Sequence, residues 1–379
     1  MSLHTITDFL LPISKDVISN DEGYKDTQLG KHILTYEEEN VFPDITSADL
    51  ILVGCGEMRG AGLGTNNYQS ADAVRSAYYG LFHWHKEVVV ADAGNIKTGS
   101  TLKDSYAAIR SVVGELVGKG KKVVLIGGSH DITLAQYDVY AHTDTIIEAT
   151  CVDAKIDLNM DSILPADNFL MEMLTNMPNY IKHYNHIGFQ SYFVHPHMLE
   201  TIDKLRFDCY RVGKVKEHLE EMEPAIRNSH LFSFDISAIQ HAHAPANRCS
   251  PNGFTGEEAC VLMQYAGMSN HTSTIGLYGY IAKYDVHDLT AKQISHMLWY
   301  VMDGIHKGKQ EAAISDRASF KEFNLAFAEV ETTFLQSKKT GRWWMRMPDD
   351  HFVACSKFDY LIASNNEIPE RWMRTMERN

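Results

Sequence analysis

Eight short apolar runs alternate with longer stretches of helical period between residues 49 and 280, and this alternation constrains the fold more than any other feature of the chain. The runs are DLILVG (49–54), EVVVAD (87–92), KKVVLIG (121–127), IIEATCVD (146–153), YNHIGF (184–189), LRFDCYRV (205–212), HLFSFD (230–235) and STIGLYGY (273–280). Helices between successive strands act as crossovers, and crossovers make neighbouring strands parallel. The expected fold class is therefore α/β: a single-domain, three-layer α/β/α arrangement with a mainly parallel eight-stranded sheet covered on both faces.

The intervening helices are legible from their period. Over 101–118, Leu102, Tyr106, Ile109, Val113, Leu116 and Val117 recur at three- and four-residue steps, and Gly118-Lys119-Gly120 ends the run. Thr255 to Glu258 has the spacing of a capping box ahead of Ala259, Leu262, Met263 and Ala266. Residues 288–304 repeat the pattern with Ile294, Leu298 and Val301.

No linker, repeat or low-complexity tract divides the chain. Residues 1–47 are polar, with the acidic run Glu37-Glu38-Glu39, and read as an irregular lead-in with one helix. Residues 48–310 form the α/β domain, and 311–379 form a tryptophan-rich C-terminal extension of mainly irregular structure. Trp343, Trp344 and Trp372 are expected to fasten that extension onto the domain, because large exposed apolar patches are rare.

A net charge of −14 argues against nucleic acid or an anionic membrane as partner, since both need a basic face. A small molecule or another protein remains. The six cysteines are scattered with no CxxC pair, as expected of reduced thiols in a cytoplasmic protein. No secretory signal and no long uncharged apolar run is read from the sequence.

In an open parallel sheet, ligands bind beyond the carboxyl ends of the strands. Three such ends carry polar groups: GGSHD (127–131) places His130 in a glycine turn, CVDAKID (151–157) carries Asp153, Lys155 and Asp157, and SFD (233–235) ends in Asp235. Alternation along a strand would point Asp153, Lys155 and Asp157 to one side of the pleat, so two carboxylates and an ammonium converge. Asp131 is expected either to orient His130 or to cap the following helix. His241 and His243, alternating in the loop that follows, read chiefly as loop residues.

With these blocks in this order, the chain resembles the ureohydrolase superfamily of arginase, agmatinase and formimidoylglutamase. The resemblance spans about 49–304, takes in GNI (94–96) and PNG (251–253), and is nearest the formimidoylglutamase branch. It implies a hydrolase of C–N bonds in linear amidines, an oligomer, and two manganese ions that share a hydroxide. His130, Asp153, Asp157 and Asp235 match four metal ligands, and the resemblance gives His130, Asp157 and Asp235 catalytic roles. Asp167 and Asn168 fall where relatives place substrate-binding loops.

Three positions depart from the family pattern. Lys155 stands at a histidine ligand of the second ion and Ser237 at its terminal aspartate. Gly279 stands where a glutamate binds the cationic substrate. A divalent ion about 4 Å from an ammonium costs about 8 kcal/mol at an effective dielectric of about 20. Deprotonating the lysine to ligate instead costs about 4.6 kcal/mol. The expectation is at most one divalent metal ion, manganese, with Lys155 bonded to Asp153 and Asp235 in place of the second ion. Little or no ureohydrolase activity follows, the alternative being a formimidoylglutamase-like hydrolase on a single manganese ion.

Overall fold

Each of the eight apolar runs becomes a strand in the computed structural model, which describes residues 4–18, 23–65 and 68–378. In chain order the strands are β1 Leu10–Leu11, β2 Leu34–Thr35, β3 Leu50–Cys55, β4 Val90–Ile96, β5 Lys122–Ile126, β6 Ile147–Val152, β7 Ile181–Phe189, β8 Asp208–Arg211, β9 Leu231–Asp235, β10 Thr274–Tyr278, β11 Phe320–Phe327, β12 Val330–Ser337, β13 Trp343–Arg346 and β14 Phe352–Cys355. The main sheet runs β1-β4-β3-β5-β10-β9-β6-β7-β8, with β2 beside β4. The expected strands β3 to β10 form an unbroken parallel block.

The lead-in is more regular than its polar sequence suggests. It contributes two four-residue helices, His4–Thr7 and Lys15–Ile18, and two short edge strands. Of these β1 is antiparallel and β2 parallel to β4. Such strands are too short to show a period, so the sheet edge was invisible in the sequence.

Alternation along the strands serves both faces. Leu50, Leu52, Val124, Phe232, Phe234, Ile275 and Leu277 bury on one side. Ile51, Val53, Val123, Leu125, Cys151 and Leu231 bury on the other. The covering helices begin where the sequence marks them: Leu102–Gly118 is capped reciprocally by Thr101 and Asp104, and Gly256–Met268 by Thr255 and Glu258. The third, Leu289–Lys309, runs five residues beyond Gly304.

The extension departs most from expectation. Rather than irregular chain it forms a four-stranded antiparallel sheet, β11-β12-β13-β14, followed by helices Lys357–Ser364 and Glu370–Arg378. Trp343, Trp344 and Trp372 are buried. Arg227, at the end of helix Met222–Arg227, donates to the Trp343 carbonyl (2.8 Å) and stacks over the Trp344 ring at 4.5 Å. Arg342 donates to Glu311 (3.0 Å) and to the Met268 carbonyl (3.3 Å). Arg374 pairs with Asp208 at the start of β8. All these attachments lie at the amino ends of the parallel strands.

Candidate metal centre

The strands β5, β10, β9 and β6 are neighbours, so the loops at their carboxyl ends share one mouth. Beyond β5 the chain turns through Gly127 (φ 90°) and Gly128 (φ 92°). A Cβ at Gly127 would lie 2.7 Å from the Cys55 carbonyl oxygen, so only glycine passes here. That turn delivers the buried His130 to the mouth. Its Nδ1 donates to Asp157 Oδ2 (2.8 Å) and Asp153 Oδ2 (3.1 Å), while Nε2 meets Ser233 Oγ at 2.9 Å.

The pleat ends at Val152, so Asp153 to Asp157 lie in a turn rather than on a strand. Within it the Lys155 amide donates to Asp153 Oδ1 (3.2 Å). Asp153, Lys155 and Asp157 all line the cavity, brought there by the turn and not by strand alternation. Asp235 caps the short 3₁₀ turn Ile236–Ala238 by accepting from the Ser237 amide (2.8 Å). The Ser237 hydroxyl donates to Asp153 Oδ1.

Among the described residues Lys155 makes no direct ion pair, which corrects the expectation that it bonds Asp153 and Asp235. It is exposed at the mouth. The physical reason is that His130 and Ser237 already bond Asp153 from both sides. Partial burial works against the Lys155 charge, but Cys249, Asp157 and Asp153 outweigh it and raise its pKa, so it stays an ammonium at neutral pH.

Charge within the cluster is divided unequally. Burial and the Asp153 charge push Asp157 up to about 7, and the same two causes push Asp235 up to about 6. Burial also acts on Asp153, yet hydrogen bonds from His130 and Ser237 bring it down to about 2. For His130, burial opposes the charge, but its bonds to Asp153 and Asp157 hold the imidazole well above its ordinary value.

His130, Asp153 and Asp157 each offer a ligand atom, all within 4.8 Å of one another. One imidazole and two carboxylates converging at this range could serve a divalent ion as three ligands. Asp235 lies outside that triple but lines the same cavity of about 300 Å³. Beside these ligands, Ser237 holds Asp153 Oδ1, and Lys155 brings an ammonium with no lone pair to offer.

Other sequence expectations fare differently. Asp167 lines the cavity, while Asn168 does not and instead donates to the Ser162 carbonyl (2.7 Å), stitching its own loop. Asp131 neither orients His130 nor caps its helix by a side-chain bond; it accepts from the Tyr106 hydroxyl. His241 bonds the Asn247 carbonyl at 2.9 Å, and neither it nor His243 lines the cavity. The GNI block works below the surface, with Asn95 and Asp92 holding the buried Arg75.

The sequence reading missed one wall and one support. Arg248, Cys249 and Tyr284 line the mouth, with the Arg248 guanidinium 4.3 Å over the Tyr284 ring. Asn247 shapes this wall by donating to the carbonyls of Ser237, Ile239 and Ser250. Behind the cluster, His186 meets the Asp153 carbonyl oxygen (3.3 Å), and burial lowers it to about 4, so it is neutral. A buried histidine on a strand beside the aspartate-bearing strand was the available signal.

Residues 53–303, well over half of the chain, match the Arginase family. The chain belongs to the Arginase family. Its fold resembles several solved structures. Formiminoglutamase of Trypanosoma cruzi with manganese shares 15% identity at a TM-score of 0.63, over 74% of this chain and 99% of that one. Formimidoylglutamase of Bacillus subtilis shares 16% at 0.65, over 76% and 95%. Agmatine ureohydrolase of Thermoplasma volcanium shares 17% at 0.60, over 76% and 98%. Within the Arginase-family core, the cavity is lined wholly by residues between Met58 and Tyr284, and the extension takes no part in it.

Proposed function

We propose that this protein holds one divalent ion at His130, Asp153 and Asp157, with Asp235 beside it, and binds a small ligand there with little or no ureohydrolase turnover. The observation that carries this reading is the division of Asp153: one oxygen faces His130, and the other is taken by the Ser237 hydroxyl. When bound, the ion would supply Lewis-acid polarisation of a ligand oxygen or nitrogen. The chain's own residues set what enters. Lys155 and Arg248 place two cations at the mouth, and Gly279 offers no carboxylate to a guanidinium. The arrangement favours a ligand carrying negative charge.

A second reading rests on the same two cations. An amidine that also carries carboxylates would satisfy Lys155 and Arg248, making a single-ion formimidoylglutamase-like hydrolase the alternative. Manganese content after dialysis, in wild type and in Lys155→His/Ser237→Asp, tests the site, with one ion expected in the former and two in the latter. Two ions in wild type overturns the single-ion reading. Turnover of arginine, agmatine or formimidoylglutamate that is abolished by Asp235→Ala overturns the inactive reading in favour of the hydrolase.

A further inference from the structure

A second group of ligating side chains lies at the amino end of β4, the opposite end of the sheet from the cavity. His85 and Glu87 come from the loop before β4, and His306 from the last turn of helix Leu289–Lys309. Each offers a ligand atom, and these atoms all lie within 4.8 Å of one another. The two imidazoles stack with centroids 4.3 Å apart, and Glu87 accepts a hydrogen bond from His306 Nδ1.

Neighbours hold both rings in place. His85 Nε2 donates to Asp303 Oδ1 (2.9 Å), and Asp303 is itself fixed by Gln264 (2.5 Å) and Lys307 (2.8 Å). Gln310 meets His306 Nε2 at 2.9 Å. A carboxylate behind a ligating histidine sets ring orientation and raises ligand basicity. Lys307 is paired with Asp303, and Lys309 with Asp49 (2.8 Å), so neither ammonium is uncompensated beside the group.

We infer that His85, Glu87 and His306 form a binding site for a zinc-type divalent transition ion, independent of the central cavity. Two imidazoles and one carboxylate suit borderline ions and not magnesium or calcium, which favour all-oxygen shells. Three protein ligands leave a fourth tetrahedral position. The side chains of Glu87 and His306 are 51% and 30% exposed, so that position faces solvent and the ion has an entry path. The site joins two segments far apart in sequence and clips the loop before β4 to the longest helix of the fold.

The test uses the full chain in a His130→Ala background, which removes the central ligand. Zinc titration by calorimetry should show one equivalent bound and a rise in Tm with added zinc. His306→Ala in the same background should weaken zinc at least about tenfold and abolish the Tm rise. Glu87→Gln, at a largely exposed position, reads the same loss without risk to folding. Magnesium as probe should give no heat and no shift. Equal zinc uptake in His130→Ala and in its Glu87→Gln derivative overturns the site, and magnesium binding as tight as zinc overturns its class.

Discussion

A Cβ added at Gly279 would lie 2.5 Å from Asp235 Oδ2, and Gly279 holds φ at 78°, a conformation side chains rarely adopt. The position where the sequence resemblance places a substrate carboxylate is thus closed to any side chain in this fold. Gly279→Ala should destabilise by about 1–3 kcal/mol from backbone strain and contact with Asp235. Gly279→Glu should be worse, since it adds a charge beside Asp235, and should not create guanidinium binding. Thermal unfolding and calorimetry with agmatine check both; a stable Gly279→Glu that binds agmatine contradicts the close approach.

The pH dependence of the central cluster has a definite sign. In the folded state Asp157 and Asp235 are raised to about 7 and about 6, and His130 is raised well above its ordinary value. A raised carboxyl penalises folding once pH exceeds its unfolded value of about 3.9, fully so above its folded value. A raised histidine contributes stability below its unfolded value of about 6.5 that is lost as pH rises through its folded value. Both act in one direction, so the metal-free protein loses stability as pH climbs from about 4 to about 7 through the two carboxyls, and again above about 6.5 through His130. Manganese needs those same protons gone, so its affinity rises over that window and its binding restores the loss. Tm against pH with and without manganese should show the two curves diverging upward from about pH 6.

Ser237→Asp replaces a hydroxyl that bonds Asp153 with a carboxylate that repels it. Without metal the variant should lose about 1–3 kcal/mol, the range for removing a buried hydrogen-bond partner. Manganese should recover more stability in Ser237→Asp than in wild type, because the added carboxylate is a new ligand. Equal manganese shifts in the two proteins count against the role given to Ser237.

Arg227 carries much of the attachment of the extension. It pairs with Glu223 through Nε at 2.9 Å, donates to the Trp343 carbonyl and covers the Trp344 ring. Arg227→Ala leaves Glu223 buried with less compensation and should cost about 3–5 kcal/mol. Limited proteolysis should then cut between the domain and the extension, at sites protected in wild type. Unchanged protection would move the attachment to Arg342 and Arg374.

The sequence made the parallel block readable because burial on both faces writes each strand as an apolar run, and Phe232 and Phe234 on β9 are instances. The glycine turn and the aspartates beyond the strands were readable for a related reason, since few residue types serve there. Lys155 does reach the cavity, but through the turn that takes over past Val152 and not through the pleat, so the bonds expected of it to Asp153 and Asp235 were not legible. The extension was misread because its tryptophans were weighed as anchors alone. Its strands carry a two-residue period, Phe323, Leu325 and Phe327 packing on one side, that the aromatic content concealed. Arg248 and Tyr284 come from loops whose pairing depends on the spatial neighbours of β9 and β10, which no local pattern reports.

The extension grips the amino ends of the parallel strands, while the cavity opens at their carboxyl ends. A copy or partner that met the chain through the small antiparallel sheet would approach from the far pole of the molecule. A contact made on that sheet would leave the cavity entrance unobstructed.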